Sequence, residues 1–403
     1  MNRRVLPIVV FLLLAGGLTV AWLLQPEPVA PVQGGPLVTL GPHLRALDDG
    51  PDGEITARRY VEGTMETIAG SPRAPILEAL ASDDWGAQWA GVMAIPRYGP
   101  PDDALATALG PLLRAQSTRV RRLAATACGY LGAGFEQVEP GLEAAARDED
   151  AGVRAEALGA LAQHTRRAPA LWPLFAEALR DPAEPARAAA AKGLARIELQ
   201  EVLTPRHLAT LRKDLGAAMR DETPDVRMYA VMAMGRMGPH AASEVPGMLA
   251  LLDDPSTLVR GTAANALGEV GKAALPAIAA ALATAGPAQA ASLLWSLRVI
   301  GKDALPILEG ALTHAQMSVR VQAALKLWEL DRPPEPTARV LAEALEGTDE
   351  EARRIAARGF ARMGTAGASQ REVLERLRDD DDESVRASVR SALARIEASS
   401  RDG

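Results

Sequence analysis

The chain has 403 residues, of which 48% are hydrophobic but only 3% aromatic, and a formal net charge of −7. So few rings predict thin helices, rich in Ala and Leu, that pack closely rather than a core filled by aromatic side chains. The acidic balance, 51 Asp and Glu against 44 Lys and Arg, argues against a nucleic-acid-binding face. The single cysteine, Cys128, excludes an intramolecular disulfide and a cysteine-built metal site, and reads as a small apolar residue on a helix face.

At the amino terminus Arg3 and Arg4 precede an uncharged run from Val5 to Leu24. As a helix this run reaches roughly 30 Å, the thickness of a hydrocarbon core. Residues 1–24 are therefore expected to be a single transmembrane anchor, with the N-terminus cytoplasmic and the rest outside. A cleaved signal and a secreted product is the alternative, although Trp22-Leu23-Leu24 carries the apolar run past the plausible cleavage points. Residues 25–53, with "QPEPVAPVQGGP" and "LDDGPDG", read as a Pro- and Gly-rich linker. Glu54 to Ala69 follows as a helix that caps the first apolar face of what comes next, closing a segment of residues 54–70.

From 71 to 397 one unit is written about ten times. Its most regular mark is an Arg at positions 121, 154, 187, 227, 260, 320, 353 and 386, with Gln88 and Ala290 in two degenerate copies. Successive steps are 33, 33, 33, 40, 33, 30, 30, 33 and 33 residues. An Asp stands six residues before the Arg in Asp148/Arg154, Asp181/Arg187, Asp221/Arg227, Asp254/Arg260 and Asp380/Arg386. A Pro stands fourteen residues before the mark at Pro140, Pro173, Pro246, Pro276 and Pro306, and a Gly eleven after it at Gly99, Gly132, Gly238, Gly271, Gly301 and Gly364.

Each mark has a physical task. Proline suits the first turn of a helix and is expected to open the first helix of each unit. The Asp is expected to accept from the free N–H groups that start the second helix. Glycine ends that helix in a left-handed conformation. Between Arg and Gly the apolar residues, such as Val259, Ala263, Ala266, Leu267 and Val270, form one stripe. Such a hairpin cannot cover its own apolar face and must stack on its neighbours, so the fold class is all-α, a right-handed α-solenoid of about ten hairpins.

The pattern D-x-x-x-x-V-R-x-x-A-x-x-A-L-G resembles the HEAT repeat, in particular the short bacterial type seen in bilin-lyase-like proteins. The resemblance implies that the Asp and Arg of successive repeats form a ladder along the stack, carried here by the five pairs above. Ser82, Ala115, Thr284, His314 and Gly347 stand where the Asp is missing. It also offers an alternative function, holding a tetrapyrrole and its acceptor protein.

The pattern breaks at the 40-residue step, where about seven extra residues lie within "ARIELQEVLTPRHLATLRKDL" and either form a loop on one face or lengthen a first helix. The run Asp379 to Glu383 lacks the spaced ligands of a calcium loop and reads as a solvated turn. Residues 398–403 are expected to be a disordered tail.

No chemistry is written into the chain. The five histidines are scattered, and there is no G-x-S-x-G, no phosphate-binding loop and no metal-ligand spacing. The expectation is therefore no enzyme, no cofactor, no metal and no nucleic acid, but a membrane-anchored scaffold for protein partners. Aromatic, Met and Arg residues off the buried stripe are the candidate contacts: Trp89, Met93, Arg97, Tyr130, Met228, Met232, Arg236 and Trp295.

Overall fold

The computed structural model describes residues 35–47, 51–68, 71–98, 103–132, 134–164 and 169–399. The expected anchor from Val5 to Leu24, Gly99 and residues 400–403 lie outside the described residues. Among the described residues there is no strand, and no helix is long and apolar enough to cross a membrane.

Ten helix hairpins follow one another along the described chain. Their second helices are Trp85–Tyr98, Thr118–Cys128, Ala151–Gln163, Glu184–Arg196, Pro224–Gly235, Thr257–Val270, Pro287–Ile300, Met317–Glu329, Glu350–Met363 and Glu383–Ser399. The predicted stripe is the buried face: Val259, Ala263, Ala266, Leu267 and Val270 are all excluded from solvent. Successive second helices contact one another far more than successive first helices do, so they form the tight, inner side of the stack. Small residues permit that approach. A Cβ on Gly235 would lie 2.7 Å from the Cα of Ala266, and one on Gly268 would lie 2.5 Å from the side chain of Val299.

The punctuation differs in part from the expectation. Proline opens the first helices Trp172–Ala178, Val245–Ala250, Leu275–Leu282 and Leu305–Gly310. Pro140, however, sits inside Phe135–Ala145, because Gly134 at φ 76° already starts that helix five residues earlier. Gly271 (φ 73°, ψ −142°), Gly301 (φ 83°, ψ −137°) and Gly364 (φ 54°, ψ −121°) end their helices with positive φ but extended ψ, a region more exclusive to glycine than the left-handed helical one. That geometry turns the chain directly into the 3-10 helices Gly271–Ala274, Gly301–Ala304 and Gly364–Gln370, which lead into the next unit. Gly132 does not take positive φ; Gly134 does so instead.

The linker expectation needs correction. Within 25–53, residues 35–47 fold back on the first unit through Val38–Leu40 and Gly41–Arg45, and the capping helix begins at Pro51. Leu37 and Leu44 are fully buried, each contributing about 1.5–3 kcal/mol. The Gly35 N–H donates to Glu78 (2.8 Å) and Arg45 pairs with Asp84 (2.6 Å). Proline and glycine counts hid an apolar 3–4 spacing here. At the 40-residue step, the extra residues build the short helix Leu199–Val202 and are followed by a long first helix, Pro205–Ala218. At the far end, the last helix runs to Ser399, beyond the expected limit of 397.

The core is continuous from Leu37 to Leu327, and a second cluster runs from Val321 to Ile396. They meet at Met317–Glu329, whose Val319, Ala323 and Leu327 face one cluster and whose Val321, Ala324 and Leu325 face the other.

Candidate interaction surface

The ladder is built between units, not within them. Arg154 donates from Nε and Nη2 to Asp181 of the following unit (2.7 and 2.8 Å), while its Nη1 donates to the carbonyls of Asp148 and Glu149 in its own turn (3.0 Å each). Arg121 meets Asp148, Arg187 meets Asp221 and Arg227 meets Asp254 in the same two-pronged way; Arg353 pairs with Asp380. The side-chain rungs thus join successive units, while inside Asp148/Arg154, Asp181/Arg187, Asp221/Arg227, Asp254/Arg260 and Asp380/Arg386 the Asp offers the Arg its backbone carbonyl. The two carbonyls fix one edge of the planar guanidinium, and the other edge must then face the next unit.

The Asp carboxylates also do not cap the helix itself. Oδ1 of Asp148, Asp181, Asp221, Asp254 and Asp380 accepts from the N–H two residues on, closing the turn before the helix. Ser82 and His314 perform that same local task, accepting from Asp84 N (3.1 Å) and Gln316 N (3.1 Å), but have no carboxylate to give a neighbour. Arg260, with Thr284 at that place in the next unit, and Arg386, in the last hairpin, hold among the described residues only carbonyls of their own turns, and Arg320, with Gly347 there, reaches Glu343 instead. Hydrogen bonds from Arg154 and Arg227 hold Asp181 and Asp254 below the usual carboxylate range. Burial pushes Asp148 and Asp221 upward, but bonds from Arg121, Arg187 and the turn N–H groups outweigh it, and both end low. Cys128 is buried, which pushes its thiol up to about 12.

The candidate partner contacts are spread along the stack rather than gathered. Trp89 is a correction: only 1% exposed, it stacks on Trp85 with centroids 6.3 Å apart and lies under the Arg119 guanidinium. Nothing in a helical wheel distinguishes a ring turned outward from one filling the gap between units. Met93, Met228 and Met232 are half-buried against the core. Arg97 pairs with Glu62 (3.5 Å) and Arg236 with Glu198 (3.2 Å). Tyr130, just past its helix, and Trp295 remain open to solvent, at 56% and 39%.

Trp295 borders a cleft of about 630 Å³ lined also by Arg298, Trp328, Glu329, Asp331 and Arg362. Its indole N–H donates to Asn265 (2.6 Å), and the Arg298 guanidinium lies 4.1 Å from its ring centre. Glu329 collects three cations: Lys326 at 3.0 Å, Arg362 at 2.6 Å and Arg298 at 3.6 Å. Burial raises its carboxyl, the bonds from Arg362 and Lys326 lower it more, and it stays below the usual range. Sequence reasoning missed these neighbours, although Glu329 and Arg362 stand nine residues after their ladder Arg, the same offset as the candidate Arg236 from Arg227. Among the described residues no group of three or more His, Cys, Asp or Glu could hold a metal ion.

The profile of HEAT repeats matches residues 106–195 and 212–298. No curated protein matches the sequence. Among solved structures, the karyopherin Kap121p bound to the extreme C-terminus of the protein phosphatase Cdc14p is similar at a TM-score of 0.59 and 14% identity, over 89% of this chain and 45% of that one. Kap121p by itself gives 0.58 at 14% identity, and Kap121p bound to the SUMO protease Ulp1p gives 0.57 at 14%, both with the same coverage of 89% and 45%. The chain thus spans less than half the length of that karyopherin, and at such identity the likeness is one of fold. Residues 106–195 and 212–298 thus match HEAT repeats, and the same stack of helix hairpins continues on either side among the described residues.

Proposed function

We propose that this chain is a non-enzymatic scaffold that binds protein partners along its inner face, held at a membrane by residues 5–24 with the solenoid on the outer side. The observation that carries the reading is the cleft at Trp295, where two tryptophans and two arginines stand together on the second helices; such residues anchor protein interfaces. The solved complexes of Kap121p with the extreme C-terminus of Cdc14p and with Ulp1p are consistent with a stack of this kind receiving another protein. The export half of the reading rests on the uncharged run from Val5 to Leu24 behind Arg3 and Arg4.

Two experiments test the halves separately. Photo-crosslinking groups placed at Tyr130 and Trp295 are expected to capture partners in cells, whereas one at Ala144, exposed on a first helix, is not. Capture from Ala144 alone would move the binding face to the outer side. A reporter active only outside the cytoplasm, fused after Gly403, is expected to be active and to stay in the membrane pellet after a carbonate wash; a silent reporter would remove export, and an active soluble one would replace the anchor by a cleaved signal.

A further inference from the structure

We propose that the cleft at Trp295 is a docking site for an acidic peptide segment of a partner protein, an inference that rests on the scaffold reading and names the chemistry it would select. Charge comes first. Glu329 is enclosed by Lys326, Arg298 and Arg362, so its one negative charge leaves two positive charges uncancelled. One turn before Arg362 on the same helix, Arg358 is exposed and makes no ion pair among the described residues. Arg395 of the last helix reaches the carbonyl of Ala361 (2.7 Å), which brings a further cation beside Arg362. Asp331 at the rim opposes them. In the lining itself Arg298 and Arg362 match Glu329 and Asp331, and Lys326, Arg358 and Arg395 around it add three cations in a chain whose net charge is −7, so the basic end of this face is a local feature against an acidic background.

The second argument is unused bonding capacity. The Nε of Arg298 is buried and makes no hydrogen bond, lying 3.6 Å from Glu329. The rest of the Arg298 side chain is one-third exposed, so its charge is open to a carboxylate entering the cleft. The third is preorganisation. Asn265 and Arg298 hold the Trp295 ring from its edge and its face, so an apolar side chain beside the acid finds a flat surface whose ordering is already complete.

A basic peptide fits poorly, because the buried acid is already shared by three cations. A nucleic-acid strand would run beyond the patch. Continuing along the same register it meets Glu269, one unit before Trp295, then the Glu198–Arg236 pair, the single Arg196 and the neutral Gln163, which offers no continuous row of cations for phosphates.

The test uses the full chain and fluorescent probes: a short peptide alternating Glu with Leu and Pro, its Gln and Lys counterparts, and a short oligouridine. The Glu peptide is expected to bind, with quenching of tryptophan emission, and to weaken at high salt. Arg362→Gln is expected to weaken it about tenfold, the loss of one charge-assisted hydrogen bond. Arg358→Gln, on an exposed side chain without folding contacts, is expected to weaken it less, and circular dichroism should stay helical for both. Equal binding of the Gln peptide, tighter binding of the Lys peptide or of oligouridine, or an unchanged affinity in both variants would overturn the proposal. Crosslinks from Trp295 that the Glu peptide does not compete would overturn it while leaving the scaffold reading intact.

Discussion

At the scale of single residues, the ladder arginine does two jobs with one planar group. Arg154 ties its own turn together through Nη1 and joins the next unit through Nε and Nη2. Its side chain is 14% exposed and that of Asp181 is 11%, so removing it strands a poorly hydrated carboxylate. Arg154→Ala is expected to cost about 2–3 kcal/mol. Arg260→Ala loses two carbonyl bonds but no carboxylate and is expected to cost about 1 kcal/mol; amide hydrogen exchange over 151–196 and 257–300 measures both locally. The lowered carboxyls also set a pH dependence. A folded value below the unfolded one adds stability that is complete above the ordinary Asp value of about 4 and is lost as pH falls through the folded value. Urea midpoints are therefore expected to hold from neutrality to about pH 4 and then drop. The double variant Asp181→Asn, Asp254→Asn is expected to be weaker at neutral pH and to lose less on acidification. The types of these residues were legible in the sequence, and the resemblance implied a ladder between repeats. Which Asp each Arg holds was not, because an offset of six residues does not say which way a guanidinium points.

At the scale of elements, glycine has two opposite roles. Gly271 has open space where a Cβ would go, but its φ of 73° with ψ of −142° excludes other residues. Gly271→Ala is expected to destabilise by about 1–3 kcal/mol through the backbone alone. Gly159 lies inside Ala151–Gln163 with nothing within 4 Å of a Cβ, and Gly159→Ala is expected to stabilise by about 0.5–1 kcal/mol. Thermal melts of the two variants give the signs. The helices were readable because a period of about 3.6 in Ala and Leu is a local property. The fold-back of 35–47 was not, since it packs on the helix Trp85–Tyr98 and is held by Gly35 to Glu78 and Arg45 to Asp84, some forty positions away.

At the scale of the whole molecule, four rungs run unbroken from Arg121 to Asp254, then the ladder lapses until Arg353 meets Asp380. The lapse spans the two 30-residue steps and the helix Met317–Glu329, where the two core clusters meet. Because stability in a stack is a sum of neighbouring interfaces, residues 331–399 are expected to exchange amide protons through openings that leave 118–260 closed. Gly347 stands where Arg320 lacks its Asp, with φ −81° that any residue adopts. Gly347→Asp is expected to replace the weak Arg320–Glu343 contact (3.4 Å) by a rung, adding about 1 kcal/mol and slowing exchange beyond 331.

The sequence by itself determined the repeat, its helices, their buried stripe and the punctuating residues, all of which follow from local periodicity and backbone chemistry. Only the tertiary structure decided where the rungs connect, that Trp89 is enclosed while Trp295 is open, and that Arg298, Trp328, Glu329 and Arg362 line one cleft. Those facts depend on how each unit is rotated on the one before. That rotation is set by side-chain contacts between residues about thirty positions apart, which no window along the chain contains.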